Sequence, residues 1–217
     1  AIEDIDVQSR TMTVQAGVPL QTVQEKADEA GMLFPLDLGA RGTATIGGNA
    51  STNAGGNRVI RYGMMRDQIL GMEVVLADGT IISSMNKILK NNTGYDLKQL
   101  FVGSEGTLGV VTRLVLRMRP LPVSQEMALL AIDDFTKVTE FLNHIDSALG
   151  GTLSAYEVLW QDYYQLVTKP PAEGRAPLPD NYKYYVLLEA LGGSITSDQE
   201  RFVTALTEAL EQELIAD

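Results

Sequence analysis

Residues 35–63 read PLDLGARGTATIGGNASTNAGGNRVIRYG. The stretch is rich in glycine, asparagine and threonine, and its first part carries no apolar period of 2 or of 3.6. It is therefore neither a half-buried strand nor an amphipathic helix. A loop of this length inside a folded domain is usually functional or disordered. Well-patterned segments on both sides argue against disorder. No acid stands between Asp37 and Asp67, whereas Arg41, Arg58, Arg61 and Arg66 do, in a chain of net charge −11. Glycine-rich backbone comes close to a ligand and lets successive N–H groups converge. Ringed by arginine, such a donor set suits an anion, a pyrophosphate above all. A surface loop of tight structural turns is the alternative that composition leaves open.

The bulk properties exclude several classes. A length of 217 residues suits one large domain or two small ones. The acidic balance argues against nucleic acid, whose binding needs clustered lysine and arginine. Cysteine is absent, which removes disulfides, thiolate nucleophiles and Cys-ligated metals. No apolar run approaches the ~20 residues of a membrane span, and no signal peptide is visible at residue 1. A cytoplasmic location, at most peripheral to the inner membrane, is expected. The first residue is not methionine, so a piece of a longer protein is expected.

The segments around the loop are regular. Residues 11–16 alternate as a strand. Residues 19–30 place Leu20, Val23, Ala27 and Ala30 on one side of a helix that opens on Pro19 and closes at Gly31. Residues 69–77 and 80–84 are strands joined by Asp78-Gly79, a strong hairpin signal. A helical turn is expected over 97–102. A second glycine cluster, GSEGTLG, spans 103–109, and a strand follows it. Pro120 and Pro122 mark a domain boundary, giving domains at 1–122 and 123–217. Past it come strand 126–132, helix 134–148, strand TLSAYEVLW, a proline-rich loop over 168–181, strand YKYYVLLEAL and helix 196–215. Thr196 or Ser197, with Glu200, supplies that last helix with a capping box. The order β-α-β-β-α is one strand short of a ferredoxin-like β-α-β-β-α-β unit.

The usual nucleotide motifs are missing. There is no G-x-x-x-x-G-K-[ST], and the second cluster is spaced G-x-x-G-x-x-G rather than G-x-G-x-x-G. No G-x-S-x-G elbow occurs, and no histidine lies near Ser51 or Ser104 to activate either. The one histidine, His144, falls mid-helix, where packing is the usual role. No acid, base or nucleophile is placed for chemistry, so any reaction belongs to a cofactor.

The 35–63 stretch, with LGMEVVLADGT, NNTGYDLKQLFVGSEGTLGVVT and RPLP, resembles the FAD-binding domain of the vanillyl-alcohol-oxidase (PCMH-type) flavoproteins. Within them it is most similar to the D-2-hydroxy-acid dehydrogenases, which act on D-2-hydroxyglutarate, D-lactate or glycolate. The likeness is dense over 1–122 and looser over 123–217, which resembles the start of a substrate-covering cap. It implies an α+β fold: the second subdomain of a PCMH-type domain, then an incomplete ferredoxin-like cap. It further implies that Pro35, Leu36, Asp37, Gly39, Ala40 and Thr43 run along the cofactor. Ile46, Gly47, Gly48 and Asn49 would approach pyrophosphate and flavin through backbone. Thr52, Asn53, Gly55, Gly56 and Arg58 would continue the wall, and Tyr62 and Gly63 would close it. Glu105, Gly106, Gly109 and Val111 would border the adenine and ribose side.

The family has a further glycine-rich turn ahead of TMTVQAGV that is not found here, and its substrate and metal residues fall outside these residues. Without cysteine, and with His144 off the motif, FAD would be held non-covalently, weakly or not at all by this chain alone. No catalytic or metal residue is assigned, and Gln161 stands where the family segment like SAYEVLW usually has an acid. The resemblance implies oxidation of a small 2-hydroxy acid by hydride transfer to flavin in the full-length protein. A quinone, cytochrome or electron-transfer flavoprotein would accept the electrons. A non-catalytic flavin- or nucleotide-binding module is the alternative from another class. Other flavoenzymes of the same fold, such as alkyl-dihydroxyacetone-phosphate synthase, fit NTGYDLKQLFVGSEGTLG less well.

Overall fold

The computed structural model describes residues 1–172 and 174–217, and the chain divides into two compact units, Ala1–Leu121 and Pro122–Asp217. In the first unit the strands are β1 (Ile2–Asp6), β2 (Thr11–Gln15), β3 (Met32–Leu33), β4 (Ile69–Val75), β5 (Ile81–Ser84), β6 (Val110–Arg117) and β7 (Arg119–Pro120). Its helices are α1 (Leu20–Glu29), α2 (Ile46–Ser51), α3 (Val59–Tyr62), α4 (Met65–Gln68) and α5 (Lys98–Phe101). The main sheet runs β1-β2-β6-β4-β5, antiparallel throughout, and β3 pairs with β7 apart from it.

Alternation along β2, β4 and β6 buries Met12, Val14, Met72, Val74, Leu114 and Leu116 together with Leu20, Val23 and Ala27 of α1 and Ile46 of α2. The hairpin at Asp78-Gly79 forms as its turn chemistry dictates. Gly79 takes φ 86°, and the Asp78 carboxylate accepts the Thr80 N–H at 2.9 Å. β1, α2, α3 and α4 go beyond the sequence expectation. β1 is an acidic edge strand whose Glu3 pairs with Arg113 across the sheet. α2 lies inside the stretch expected to be an irregular loop. Thr45 caps α2, its hydroxyl oxygen accepting the Gly48 N–H at 3.2 Å.

The second unit holds β8 (Ser124–Ile132), α6 (Phe135–Leu149), β9 (Leu153–Trp160), α7 (Gln161–Thr168), β10 (Tyr184–Gly192) and α8 (Ile195–Glu211). Its sheet order, β8-β10-β9, is first-third-second, the arrangement of a ferredoxin-like fold less its fourth, outer strand. One sheet face carries Leu130, Ile132, Val186 and Leu188 against Val138, Phe141 and Ile145 of α6 and Phe202, Ala205 and Ala209 of α8. On the other face, Tyr164 of α7 stacks on Tyr185 with ring centroids 3.7 Å apart. α7 was not expected from sequence. The outer edge of β8 meets the last residues: Ala216 N–H donates to the Ala131 carbonyl and Ala131 N–H to that of Asp217, both at 2.8 Å. His144 joins the two long helices, its Nε2 lying 3.0 Å from the Ala205 carbonyl, which is a packing role.

α8 starts at Ile195, one residue ahead of the expected start, and the Thr196/Ser197–Glu200 box does not form its cap. Asp198 does that work instead, accepting the Ser194 N–H at 2.7 Å and the Ser124 hydroxyl at 2.6 Å. These two bonds, the Ser124 hydroxyl first, hold the Asp198 carboxyl below the usual carboxylate range. A depressed folded-state pKa contributes stability that is present above the unfolded value and lost as pH falls through the folded one. Asp198→Asn is therefore expected to lower the urea midpoint of this unit at neutral pH. The gap to wild type should close as pH falls from the ordinary carboxylate range through the lowered folded-state value. A gap independent of pH would refute this.

Candidate cofactor-binding site

The structure folds the expected site residues into three groups. Pro35, Leu36, Ile46 and Val111 point into the core and serve packing. Two glycines also answer to packing. A Cβ on Gly47 would lie 2.6 Å from the Ala16 Cβ, and one on Gly109 would lie 2.6 Å from Val74 Cγ1. The remaining residues reach the surface or line turns, except Asn49, which is buried in α2.

One expectation needs correction. The N–H groups of Ile46, Gly47, Gly48 and Asn49 do not converge on open space. They donate to the carbonyls of Val18 and Ala16, the Thr45 hydroxyl oxygen and the Thr45 carbonyl, respectively. Helix α2 thus spends the first two donors on tying itself to the β2–α1 turn and the other two on its cap residue Thr45. What faces outward is Gly48 and, one turn on, Thr52, both exposed. Between them Asn49 is 4% exposed, and its Nδ2 has no hydrogen-bond partner. A buried amide donor left unpaired costs about 1–3 kcal/mol, which a ligand oxygen would recover.

The arginine ring also resolves differently. Arg66 turns inward: its guanidinium donates to the Gln99 side-chain oxygen at 2.6 Å, the Gln99 carbonyl at 2.9 Å and the Val102 carbonyl at 2.6 Å. Arg41 and Arg58 flank Asp37, at 3.5 Å and 3.9 Å, so the acid that bounds the gap in sequence sits between them in space. They help line a cavity of about 370 Å³ whose floor is Met32, Leu33 and Phe34. Arg61 lies 5.1 Å from the Tyr62 ring centroid.

The two glycine clusters, far apart in sequence, meet. Gly103 N–H donates to the Ala50 carbonyl at 3.0 Å and Glu105 N–H to that of Ser51 at 2.8 Å, so the GSEGTLG turn docks on the C-terminal end of α2. Asn53 and Glu105 sit in left-handed conformations, φ 48° and 53°, beside this contact. Such non-glycine backbone is uncommon and tends to gather at functional sites. The Asn53 side-chain oxygen accepts the Arg66 N–H at 3.0 Å. Glu105 and Gly106 are exposed on the same rim as Thr52. Gly39, Ala40 and Thr43 form an exposed turn in which Thr43 N–H bonds the Ala40 carbonyl. Gly55 passes against Val59, Gly56 against Asp37, and Gly63, at φ 77°, closes on the Asp67 carboxylate.

Arg66 is the pin that holds this arrangement. Arg66→Met is expected to leave the Gln99 and Val102 carbonyls unpaired and to cost about 2 kcal/mol. Hydrogen exchange should show lost protection at Gly103 and Glu105 first. Unchanged protection there would contradict the assignment.

Sequence reasoning did not find Thr45 as a cap or Arg119 as a neighbour of Tyr62. Only Arg119 carried a local signal, through RPLP. Among the described residues no group of three His, Asp or Glu side chains is placed to hold a metal, and no helix is long and apolar enough to cross a membrane.

Residues 1–84 match the family described as FAD binding domain. The mitochondrial D-2-hydroxyglutarate dehydrogenase of Bos taurus is 41% identical over 209 residues, covering 96% of this chain and 38% of that protein. A putative mitochondrial D-lactate dehydrogenase of Schizosaccharomyces pombe is 39% identical over 216 residues, covering 100% of this chain and 41% of that protein. Among solved structures, alkyldihydroxyacetonephosphate synthase superposes with a TM-score of 0.79 at 19% identity, over 100% of this chain and 41% of that one. At that identity the likeness concerns the fold. The chain spans about two fifths of the length of these relatives. Residues 1–84 thus match an FAD binding domain, and the chain as a whole is similar to about two fifths of D-2-hydroxyglutarate and D-lactate dehydrogenases.

Proposed function

We propose that the first unit forms one wall of an FAD site, and that the whole protein oxidises a small D-2-hydroxy acid to the 2-oxo acid. The observation that carries this reading is the docking of the 103–109 turn on α2 beside the unpaired Asn49 amide. It sets an exposed rim of Gly48, Thr52, Glu105 and Gly106 around a buried donor, which fits the face of an extended cofactor. FAD, when bound, supplies the hydride acceptor. The chain's own part is to hold and orient it: Asn49 donates one hydrogen bond, and the small residues let the cofactor lie close. Asp37, Gly39, Ala40, Thr43, Asn53, Gly55, Arg58, Tyr62 and Gly63 extend the same wall. The second unit is the beginning of the cap over the substrate.

D-lactate, glycolate and D-2-hydroxyglutarate are the candidate substrates, and a quinone, cytochrome or electron-transfer flavoprotein is the candidate acceptor. A cytoplasmic location, peripheral to a membrane where a quinone accepts, belongs to the same proposal. The relatives named above are mitochondrial proteins. Anaerobic mixing of the full-length protein with each acid should bleach the flavin absorbance with one of them. Full-length protein that purifies without flavin, or is bleached by none, refutes the reading.

The committed N–H groups of Ile46 to Asn49 leave this chain few donors for a diphosphate. Taken alone, it should therefore bind FAD no tighter than about 100 μM in calorimetry. Stoichiometric FAD in the purified chain would contradict this.

A further inference from the structure

Strand β8, SQEMALLAI, lies at the edge of the second unit's sheet, beside β10. An edge strand is ordinarily blunted by a lysine, a proline or a bulge. The opposite edge, β9, has such devices: a bulge across from Glu189 and Ala190, and the exposed Glu157. β8 has none of them. It pairs with β10 in unbroken register from Ser124 to Ile132, and Glu126 is its one charge. It is built as an interior strand. One rung of its outer side is already engaged, where Ala216 N–H donates to the Ala131 carbonyl and Ala131 N–H to the Asp217 carbonyl. Two residues there face one, as in a bulge, and Ile215 before them is buried with Ile132. At Asp217 the backbone therefore runs antiparallel to β8, towards its start. Continued in register, the next residue faces Leu130 and the one after it Leu129.

The helix layer gives an independent observation. α8 packs mainly over β8. Its Ala205 carbonyl meets His144, and Arg201 donates to the Leu149 carbonyl at 3.5 Å, so that flank of α8 faces α6. Successive helix residues turn by about 100°. Val203 and Leu210 therefore stand on the other flank, above the outer side of β8, where they are 54% and 49% exposed. An apolar helix flank overhanging a row of outward backbone groups fits an amphipathic strand, whose N–H and C=O groups pair with the row while alternate side chains pack beneath the helix.

We propose that in the full-length protein the residues following Asp217 dock along β8 as a fourth strand, beneath the Val203–Leu210 flank of α8. The matched relatives are long enough to supply it, for this chain covers 38% of one and 41% of another. Facing residues share one side of a sheet, and Leu130 and Ala128 belong to the helix side. The first and third residues after Asp217 are therefore uncharged and pack towards α8; a charged residue at either position overturns the register. Hydrogen exchange tests the docking itself. The amides of Gln125, Met127 and Leu129 should exchange about a hundredfold more slowly in the full-length protein than in this chain. A synthetic peptide of the about ten residues that follow Asp217, added to this chain, should protect the same three amides. Met127→Pro, tolerated where the N–H faces outward, should weaken that binding about tenfold. Val203→Asp changes a side chain already exposed here and should do the same, which covers the case in which Met127→Pro does not fold. Equal exchange in the full-length protein and in this chain overturns the proposal. Protection in the full-length protein without binding of the peptide assigns the edge to another strand and overturns it too, as does a peptide that binds both variants as tightly as wild type. Every residue invoked lies in the second unit, so the outcome is independent of the flavin reading.

Discussion

Gly56→Ala is expected to cost the first unit about 4 kcal/mol or more and to abolish the site wall. Gly56 has φ 86°, and a Cβ there would lie 2.0 Å from the Asp37 carbonyl oxygen and 3.2 Å from a Leu38 methyl. The first contact is with backbone, so no side-chain rotation relieves it. Either the 54–56 turn or the 35–38 segment must move. The 54–56 turn is tied at its start, because Ala54 N–H bonds the Asn49 carbonyl and the Ala54 carbonyl accepts the Met65 N–H, both at 2.8 Å. Displacing it would loosen Asn49 and the start of α4 together. Amide exchange across Ala1–Leu121 should rise in the variant. Trp160, the chain's one tryptophan, lies in the second unit and provides an internal reference that should not change. A variant whose protection in the first unit matches wild type would defeat the prediction.

The second large effect lies in the other unit. Phe141→Ala should destabilise it by about 3–5 kcal/mol. Phe141 is fully buried, in the middle of α6, with its ring 6.0 Å from that of Tyr156 on β9. It fills the space where α6, α8 and the sheet converge, so truncation leaves a cavity that the two long helices cannot close without losing the His144–Ala205 contact. Trp160 packs on Phe135 and Tyr184, and its emission reports this unit's urea transition. Phe141→Leu keeps most of the volume and should cost less than half as much. A loss below about 1 kcal/mol for the alanine variant would mean that the site collapses freely.

What was legible in the sequence follows from what the sequence encodes locally. Asp78-Gly79 dictates its turn without help, and the spacing of Val138, Phe141, Ile145 and Leu149 dictates a helix face. α2 was hidden because IGGNAS has two glycines and no apolar stripe; its bonds to Ala16 and Val18 hold it, and those are tertiary. α7 follows β9 without a glycine, proline or capping residue, so nothing in the chain announces its start. The sequence carried no signal for β1, whose acids find their partners far along the chain: Arg113, 110 residues from Glu3, and Lys87, 83 residues from Asp4. For the candidate site, the two glycine clusters were visible but their contact was not, and the arginines were visible but not their targets. Arg66 reaches carbonyl groups, which carry no signature in a sequence.

The bonds between Ala131 and residues 216–217 bear on colloidal behaviour. Along β8 the backbone groups of alternate residues point away from β10. Ala131 is the one of these that meets the chain's own last residues. Gln125, Met127 and Leu129 present the same kind of rung with no backbone bond across it among the described residues, and Met127 is 58% exposed. Such an edge is a template for any extended peptide. The net charge of −11 discourages two copies from zipping together there. Added salt, by screening that repulsion, should therefore turn a monodisperse solution of this chain towards sheet-to-sheet association.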